Sequence, residues 1–291
     1  MMIESAPAPK KAMIDNEISA QAYARIVELS RKHTGIVLTA SKAPMVKSRL
    51  TRRLRALGMS SFDSYMNFLE EENDPVEMSK FISALTTNVT NFFRESHHFD
   101  HIANGVYDHI CAKLARGQRV RIWSAGCSNG QEPYSIAMTL LGRDMTLAEK
   151  DIRILATDID PQVLAFAQTG AYTDTQTVGI SRDLLRVFFD RETTGDREIF
   201  TIKPQVRNMV TFRQLNLHND WPMAGTFDLI MCRNVMIYFD DQTQARLLRK
   251  FAAKLADGGW LMIGHSERLP DDTLSIFTNV GVTTYQRKAQ A

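Results

Sequence analysis

The sequence has few cysteines, no long apolar run and no large excess of charge of either sign. Its three cysteines, Cys111, Cys127 and Cys232, lie far apart and form no CxxC pair, so neither a disulfide framework nor a zinc site is expected. No apolar run approaches the roughly 20 residues that a membrane-spanning helix needs. The formal net charge is only +2, which does not favour nucleic acid as a partner. These absences predict a protein of the reducing cytoplasm with no membrane insertion.

The remaining composition is that of an ordinary globular protein. The chain has 291 residues, of which 44% are hydrophobic and 23% are charged, and this length is enough for two domains. The opening stretch MMIESAPAPKKAM contains no signal-peptide core and predicts a disordered lead-in.

The first part of the chain has apolar residues at helical spacing. Ser19 is placed to cap a first helix, Gly58 to end a second, and Asp74-Pro75 to begin a fourth. We therefore predict a small all-helical domain over residues 17–90. A linker and a long bridging helix, from about Glu95 to Arg116, fill residues 91–116.

After Gly117 the pattern changes to alternating strands and helices. The predicted strands are RVRIWSAG, DIRILATDID, MVTFRQLN, FDLIMCRN and GWLMIGHS. Such alternation predicts an α/β fold with a doubly wound, mainly parallel sheet over residues 117–288. VGVTTYQRK is expected to add a terminal antiparallel strand, and REIFTIKPQ indicates a small β-subdomain insert at about 190–208.

Unusual residues follow the predicted strands, where an open α/β sheet binds its ligands. SAGCSNGQEPYS forms a glycine-containing turn into a helix, with Glu132 at the helix start. The acid in ATDID suits the two hydroxyls of a ribose. Because Glu132 would repel a pyrophosphate but suits a cationic amino group, the charge pattern favours S-adenosylmethionine over a dinucleotide.

Arg233 and Asn234 come directly after the predicted buried strand FDLIMC. An arginine in this place is either a surface residue that caps the sheet or a grip for substrate at the sheet's carboxyl edge. The strand pattern leaves both interpretations open.

Five motifs together resemble the chemotaxis receptor methyltransferase (CheR) family, over about residues 17 to 288. They are ALTTNVTNFFRESHHF, WSAGCSNGQEPYSIAMTL, ATDID, FDLIMCRNVMIYFD and GHSE. The resemblance implies a helical N-terminal domain followed by a Rossmann-like methyltransferase domain with a β-subdomain insert. It also implies S-adenosylmethionine as cofactor, S-adenosylhomocysteine as product, and methylation of glutamate side chains on bacterial chemoreceptors.

The same resemblance assigns the site residues. Asn88, Thr90 and Arg94 would close over the cofactor, Glu132 and Asp158 would bind its polar groups, and Asn216 and Leu217 would lie beside its adenine. Arg233 and Asn234 would border the methyl-transfer site, followed by Tyr238. Arg233, with Arg94 and Tyr238 as candidate helpers, would position the substrate carboxylate.

The basic run VKSRLTRRLRALG places several cations on one predicted helix with no acid nearby in the sequence. The expected docking residues are Arg49, Arg52, Arg53 and Arg55. Given the resemblance, we expect this face to bind the helical cytoplasmic region of a receptor. In some family members the β-insert binds a receptor tail, and the sequence leaves open whether it does so here. A solvated charged face is the plainer alternative, and nucleic acid is disfavoured because no aromatic residues accompany the run.

Three further expectations concern histidines and rival functions. His97 and His98 are expected to bind no metal, because no third ligand has a suitable spacing. His265 in GHSE is expected to make a structural hydrogen bond, with acid–base work as the alternative. The rival functions are a nucleic-acid methyltransferase and a non-catalytic S-adenosylmethionine-binding regulator.

Overall fold

The computed structural model describes residues 17–195, 197–270 and 273–289. The chain forms two compact units that divide between Thr86 and Thr87, whereas the sequence predicts the boundary after residue 90. The predicted disordered lead-in, residues 1–13, lies outside the described residues. Within the described ranges, no helix is long and apolar enough to cross a membrane.

The first unit is all-helical, as predicted. Ser19 accepts a hydrogen bond from the amide of Ala22, and Asp74 accepts one from the amide of Val76, so each caps the helix that follows it. The helices pack around a common apolar core that includes Ile26. The helices are α1 (Ala20–Thr34), α2 (Ala43–Leu57), α3 (Phe62–Glu71) and α4 (Pro75–Leu85).

The second unit is an α/β domain, also as predicted. Its helices are α5 (His97–His101), α6 (Tyr107–Ala115), α7 (Gln131–Arg143), α8 (Pro161–Thr169), α9 (Arg182–Phe188), α10 (Pro204–Arg207) and α11 (Asp241–Lys254). Its strands are β1 (Val120–Ala125), β2 (Ile152–Asp158), β3 (Ala171–Thr173), β4 (Phe189–Thr194), β5 (Arg197–Ile202), β6 (Val210–Gln214), β7 (Phe227–Cys232), β8 (Leu255–Ile263), β9 (Phe277–Gly281) and β10 (Thr284–Arg287).

Seven of these strands form one sheet in the order β6-β2-β1-β7-β8-β10-β9. β6, β2, β1, β7 and β8 pair in parallel, and β10 pairs antiparallel with β8, which confirms the predicted terminal strand. The chain runs from β1 outward to β2 and β6, and then returns to the other side of β1 with β7. The order therefore reverses between β1 and β7, and a ligand site is expected at the carboxyl ends of these strands.

Two elements differ from their predicted form. The insert is a three-stranded sheet, β3-β5-β4, that begins at Ala171 instead of about residue 190; its first strand has only three residues, too few to show an alternating pattern. The bridging helix begins at His97 and contains a π-helical turn over Ile102–Val106 between α5 and α6.

Candidate functional site

The turn between β1 and α7 is packed tightly on its neighbours. Gly126 and Gly130 both have φ of +84°, a conformation that favours glycine. A Cβ at Gly126 would lie 2.4 Å from Cγ2 of Val235, in the segment that follows β7. One at Gly130 would lie 2.7 Å from Cβ of Ala167 in α8. The two glycines are thus required for close packing of the turn against the protein itself.

Glu132 lies in the first turn of α7, as the sequence predicts. Its Oε1 accepts a hydrogen bond of 2.7 Å from the Ser124 hydroxyl, and its Oε2 lies 3.3 Å from Nη1 of Arg233. Burial raises the pKa of Glu132, and the charge of Arg233 acts in the opposite direction. An acid therefore stands where a dinucleotide-binding protein needs room for phosphate.

Asp158 ends β2 and is 7% exposed. Its carboxylate accepts hydrogen bonds from the amide of Ser128 at 2.8 Å and from the amide of Asp160 at 3.0 Å. Burial raises the pKa of Asp158, and these backbone hydrogen bonds lower it. Asn88 reaches the same place, because its Nδ2 donates to Asp160 Oδ2 at 3.0 Å and its carbonyl accepts from the Ser128 hydroxyl at 2.9 Å.

Arg233 follows β7 directly, and its side chain is only 2% exposed. The interpretation as a surface cap is therefore wrong. Its guanidinium contacts Glu132 on one side and Glu95 on the other, where Nη2 lies 3.4 Å from Glu95 Oε2, and it also donates to the Arg94 carbonyl. The Cζ atom of the guanidinium lies 5.6 Å from the centroid of the Phe99 ring. Both terminal nitrogens of this arginine thus already contact groups of the protein.

Glu95 is a member of the site that the sequence does not reveal. Its Oε1 lies 2.9 Å from Nδ1 of His265 and 3.4 Å from Nδ2 of Asn234. Burial alone would raise the pKa of Glu95, but the hydrogen bond with His265 and the charge of Arg233 hold it at about 2. The one available signal is its place next to Arg94. Its φ of +56° turns the chain in a way that helical spacing cannot predict.

The structure corrects the expectation that His97 and His98 lack a third potential metal ligand. Single ligand atoms of Glu95, His97 and His98 lie within 4.8 Å of one another. However, Nη2 of Arg233 lies 3.4 Å from Glu95 Oε2, the same oxygen that lies 3.6 Å from His98 Nδ1. A guanidinium thus already supplies the positive charge at this place, and we assign no metal.

The other predicted residues are distributed as follows. The amide of Leu215 donates to the Asp158 carbonyl at 2.9 Å, which brings the segment of Asn216 and Leu217 beside the end of β2. Half-buried Arg94 donates from Nη1 to the Val89 carbonyl at 3.2 Å. Thr90 is half-buried in the same segment, and Tyr238 ends a 3₁₀ turn over Met236–Tyr238.

Cys127 and Cys232 are buried, and burial raises the pKa of both thiols well above the usual value.

The basic residues of α2, which belong to the first unit, fall into two groups. Arg49 donates to the carbonyls of Ala84 and Thr86 at the end of α4, at 3.3 and 2.5 Å. Arg53 forms a bidentate salt bridge with Glu77, whose side chain is only 3% exposed. The fold thus supplies the acid that the sequence run lacks. Of the predicted docking residues, Arg52 and Arg55 are exposed, whereas Arg49 and Arg53 are partly buried.

A doubly wound sheet with an acid at the start of the helix after β1, an acid at the end of β2 and an arginine directly after β7 is the arrangement expected of an S-adenosylmethionine-dependent methyltransferase. Comparison with known proteins gives the family. Residues 88–286 match the domain described as "CheR methyltransferase, SAM binding domain", and residues 21–86 match "CheR methyltransferase, all-alpha domain". The chain belongs to the CheR methyltransferase family.

Several curated relatives are similar over nearly their whole length. A "Probable chemotaxis protein methyltransferase" of Rhizobium etli is 43% identical over 87% of this chain and 94% of its own. "Chemotaxis protein methyltransferase 2" of Pseudomonas aeruginosa is 40% identical over 98% and 99%. The "Chemotaxis protein methyltransferase" of Escherichia coli is 41% identical over 86% and 85%. A solved methyltransferase of Mesorhizobium loti aligns with a TM-score of only 0.30, at 18% identity over 57% of this chain and 54% of its own.

The residues at the sheet edge fit the cofactor, S-adenosylmethionine. This molecule carries an amino group, ribose hydroxyls and no phosphate, and the edge offers carboxylates that accept hydrogen bonds from such groups. Glu132 and Asp158 each keep acceptor capacity beyond the hydrogen bonds described above.

Proposed function

We propose that this protein transfers methyl groups from S-adenosylmethionine to glutamate side chains of chemoreceptors and so forms methyl esters. The observation that carries the proposal is its similarity to proteins named chemotaxis protein methyltransferases, over at least 85% of both chains. The acid-lined sheet edge supports the choice of cofactor, and the exposed arginines of α2 support a protein substrate.

The proposed reaction needs no general base, because a glutamate side chain, with a reference pKa of about 4.3, is already ionised at neutral pH. When bound, S-adenosylmethionine supplies a methyl group on a positively charged sulfur. A carboxylate oxygen of the substrate forms a bond to the methyl carbon, the carbon–sulfur bond breaks with its electron pair left on sulfur, and no proton moves. Two opposite charges disappear together, so a site that excludes water favours the reaction.

The contacts of the site residues support the following roles. Glu132 binds the cationic amino end of the cofactor, and Asp158 binds its ribose while holding the Ser128 turn. Arg233 provides a fixed positive charge beside the substrate carboxylate, because its terminal nitrogens are engaged by Glu132, Glu95 and the Arg94 carbonyl. Direct donors to the substrate then come from Arg94 and Tyr238. This arrangement orients the nucleophile without a tight ion pair that would stabilise its ground state.

The receptor is proposed to contact the first unit through Arg52 and Arg55. Both side chains are exposed on α2, and exposed charges of one sign guide association with a partner of opposite charge. The small sheet offers a second contact, because β4 is an outer strand there. An extended receptor tail can add to such an edge through backbone hydrogen bonds.

The test is to incubate the protein with methyl-labelled S-adenosylmethionine and receptor-containing membranes. We expect label in the receptor that is released as methanol by alkali, and none when the receptor's candidate glutamates are replaced by alanine. Label in added DNA or RNA, or label in protein that alkali does not release, would contradict the proposal. Cofactor binding without any transfer would favour a non-catalytic regulator instead.

A further inference from the structure

The carboxylate of Glu267 has an unusual set of partners. Its Oε1 accepts hydrogen bonds from the amides of Val235, Met236 and Ile237, at 3.0, 2.7 and 3.3 Å. Its Oε2 accepts from the amides of Asn234 at 3.1 Å and of Gly264 at 2.6 Å. Four of the five donors belong to consecutive residues, 234–237, immediately after Arg233.

This segment needs an external acceptor because of its shape. Asn234 has φ of +58°, which is uncommon for a residue other than glycine, and a 3₁₀ turn begins at Met236. The amides at the start of such a turn have no partner within it. Several backbone amides that point to one place form a concavity suited to an anion, and here a side chain of the protein itself fills that concavity.

The register of β7 and β8 places Glu267 close to these backbone amides. β7 and β8 are parallel neighbours, with Cys232 opposite Ile263, so their carboxyl ends lie side by side. The chain turns after β8, with the amide of Glu267 donating to the Gly264 carbonyl at 2.9 Å. Glu267 is only 5% exposed. Burial raises the pKa of Glu267, and the backbone hydrogen bonds act to lower it.

The space around the contact leaves the segment little freedom. A Cβ added to Gly264 would lie 2.7 Å from Nδ2 and 2.8 Å from the amide nitrogen of Asn234, and 3.0 Å from Glu267 Oε2. On its other side, Val235 packs against Gly126 of the β1–α7 turn, where a Cβ would lie only 2.4 Å away. Residues 234–237 are thus held between the β1–α7 turn and the end of β8.

We propose that Glu267 is a positioning residue for methyl transfer. Its carboxylate fixes the backbone of residues 234–237. It thereby determines the positions of Arg233, Asn234 and Tyr238 relative to the β1–α7 turn. It contacts no reacting atom. The proposal rests on the proposed function only in taking residues 233–238 as the border of the methyl-transfer site.

An amide cannot replace this carboxylate. In Glu267→Gln the side chain keeps its size but has one oxygen and one NH₂ group, which must face at least two backbone amides whichever way it is turned. Those amides then lose their acceptor, and the segment moves. A displacement of about 1 Å near reacting groups can reduce the rate by about 10²-fold.

A matched control is available on β7, the strand that precedes residues 234–237. Asp228, in β7, is 3% exposed, and it accepts from Lys113 Nζ at 2.6 Å and from the amide of Arg121 at 2.8 Å. It lies at the amino end of β7, away from the site. Asp228→Asn therefore removes a buried carboxylate with a backbone partner and should reduce stability without moving residues 234–237.

The experiment compares Glu267→Gln, Gly264→Ala and Asp228→Asn in the full chain. It measures hydrogen exchange of residues 234–237, the melting temperature, cofactor affinity, and kcat and KM for receptor. We expect both Glu267→Gln and Gly264→Ala to speed exchange at 234–237 and to lower kcat, by about 10²-fold for Glu267→Gln. Asp228→Asn should lower the melting temperature while leaving that exchange and kcat near the parent's.

The outcomes separate this proposal from the proposed function. Unchanged exchange at 234–237 in Glu267→Gln, or a loss of kcat no greater than in Asp228→Asn, would overturn the positioning role. If Glu267→Gln does not fold, Gly264→Ala decides by the same two measurements, because it changes no charge. Absence of methyl transfer to receptor by the parent would instead refute the proposed function, and the exchange measurement would still test the contact.

Discussion

The arginines to which we assign functions in the two units lie in contrasting environments. Arg233 of the second unit is 2% exposed and stands between two carboxylates, whereas Arg52 and Arg55 of the first unit are exposed to solvent. Exposed ion pairs contribute about 0–1 kcal/mol, while removal of one partner from a buried pair costs about 3–5 kcal/mol. We infer that the buried arginine determines geometry at the site, and that the exposed ones determine association with a partner.

The same contrast divides α2 itself. Arg53 lies next to Arg52 in sequence, yet it pairs with the nearly buried Glu77. Tyr65 donates to the same carboxylate at 3.0 Å, and burial, together with the charge of Glu77, raises the pKa of Tyr65. The basic run of α2 therefore contains both a structural cation, Arg53, and exposed cations, Arg52 and Arg55. A variant that changes both kinds would not separate an effect on stability from an effect on docking.

The largest effect is expected from Arg233→Lys. Lysine keeps the charge but offers one point donor in place of a planar fork, so it cannot hold Glu132, Glu95 and the Arg94 carbonyl together. We expect kcat to fall by about 10²-fold, with a smaller change in cofactor affinity measured by calorimetry. Arg213→Lys, at an exposed position of β6, is the control. A kcat within about threefold of the parent's would mean that Arg233 behaves like a surface arginine.

The next effect concerns the cofactor. Asp158→Ala should weaken S-adenosylmethionine binding by roughly 1–3 kcal/mol, the cost of unpaired buried polar groups; the middle of that range corresponds to a factor of about 30 in Kd. The control is Asp228→Ala, which replaces a buried acid at the amino end of β7, at the opposite end of the strands from the site. It should reduce stability but leave the Kd for S-adenosylmethionine unchanged. An unaltered Kd in Asp158→Ala would remove this residue from the cofactor site.

Much of the site could be predicted because parallel strands end at a common edge. Glu132, Asp158 and Arg233 each lie at or just after the carboxyl end of a predicted strand, and the order of the strands in the sheet brings them to one edge. Conversely, the pairing of Arg233 with Glu95 depends on left-handed backbone at Phe93 and Glu95, with φ of +52° and +56°. No periodic pattern reports such a conformation in residues other than glycine.

Contacts between distant segments were the other kind of feature that the sequence could not supply. Arg53 and Glu77 lie on different helices, and their pairing follows from how α2 and α4 pack. Likewise, Glu267 reaches the backbone of residues 234–237 across two neighbouring strand ends. Glu267 lies in the motif GHSE, but backbone amides, its partners here, have no sequence signature.

A smaller effect is expected from the exposed arginines. Reversing Arg52 and Arg55 to glutamate should raise the KM for receptor several-fold at low salt and leave cofactor Kd unchanged. The effect should shrink at high salt, because exposed charges are screened over about 8–10 Å at moderate ionic strength. The control reverses Arg116 and Arg119, which are exposed on the second unit. Equal effects of the two double variants would show that only net charge matters and that α2 has no special role.

We expect pH to have the smallest effect on kcat. A flat dependence of kcat on pH near neutrality would support a reaction that needs no general base. Burial and the nearby charge of Arg233 lower the pKa of His98 to about 3, so this histidine stays neutral at working pH. The pKa of Glu95 is held at about 2. Because this value lies below the usual range, the stability that its pairing contributes is present at neutral pH and is lost only as the pH falls toward about 2.

We therefore expect kcat to be flat between about pH 6 and pH 8, and to decline only in more acidic solution as the substrate carboxylate becomes protonated. The measurement is a pH profile of kcat for the parent and for His265→Gln, with His33→Gln, in α1 of the first unit, as a control outside the site. His265 matters because its Nδ1 lies 2.9 Å from the Glu95 carboxylate, although its side chain is 65% exposed. A rate loss with a midpoint between about pH 6 and pH 7 that disappears in His265→Gln alone would show that a histidine takes part in the reaction. In that case the charge state of exposed His265 would control the buried group of Glu95, Arg233 and Glu132. The contrast drawn above, in which buried charges set geometry and exposed charges set association, would then no longer hold.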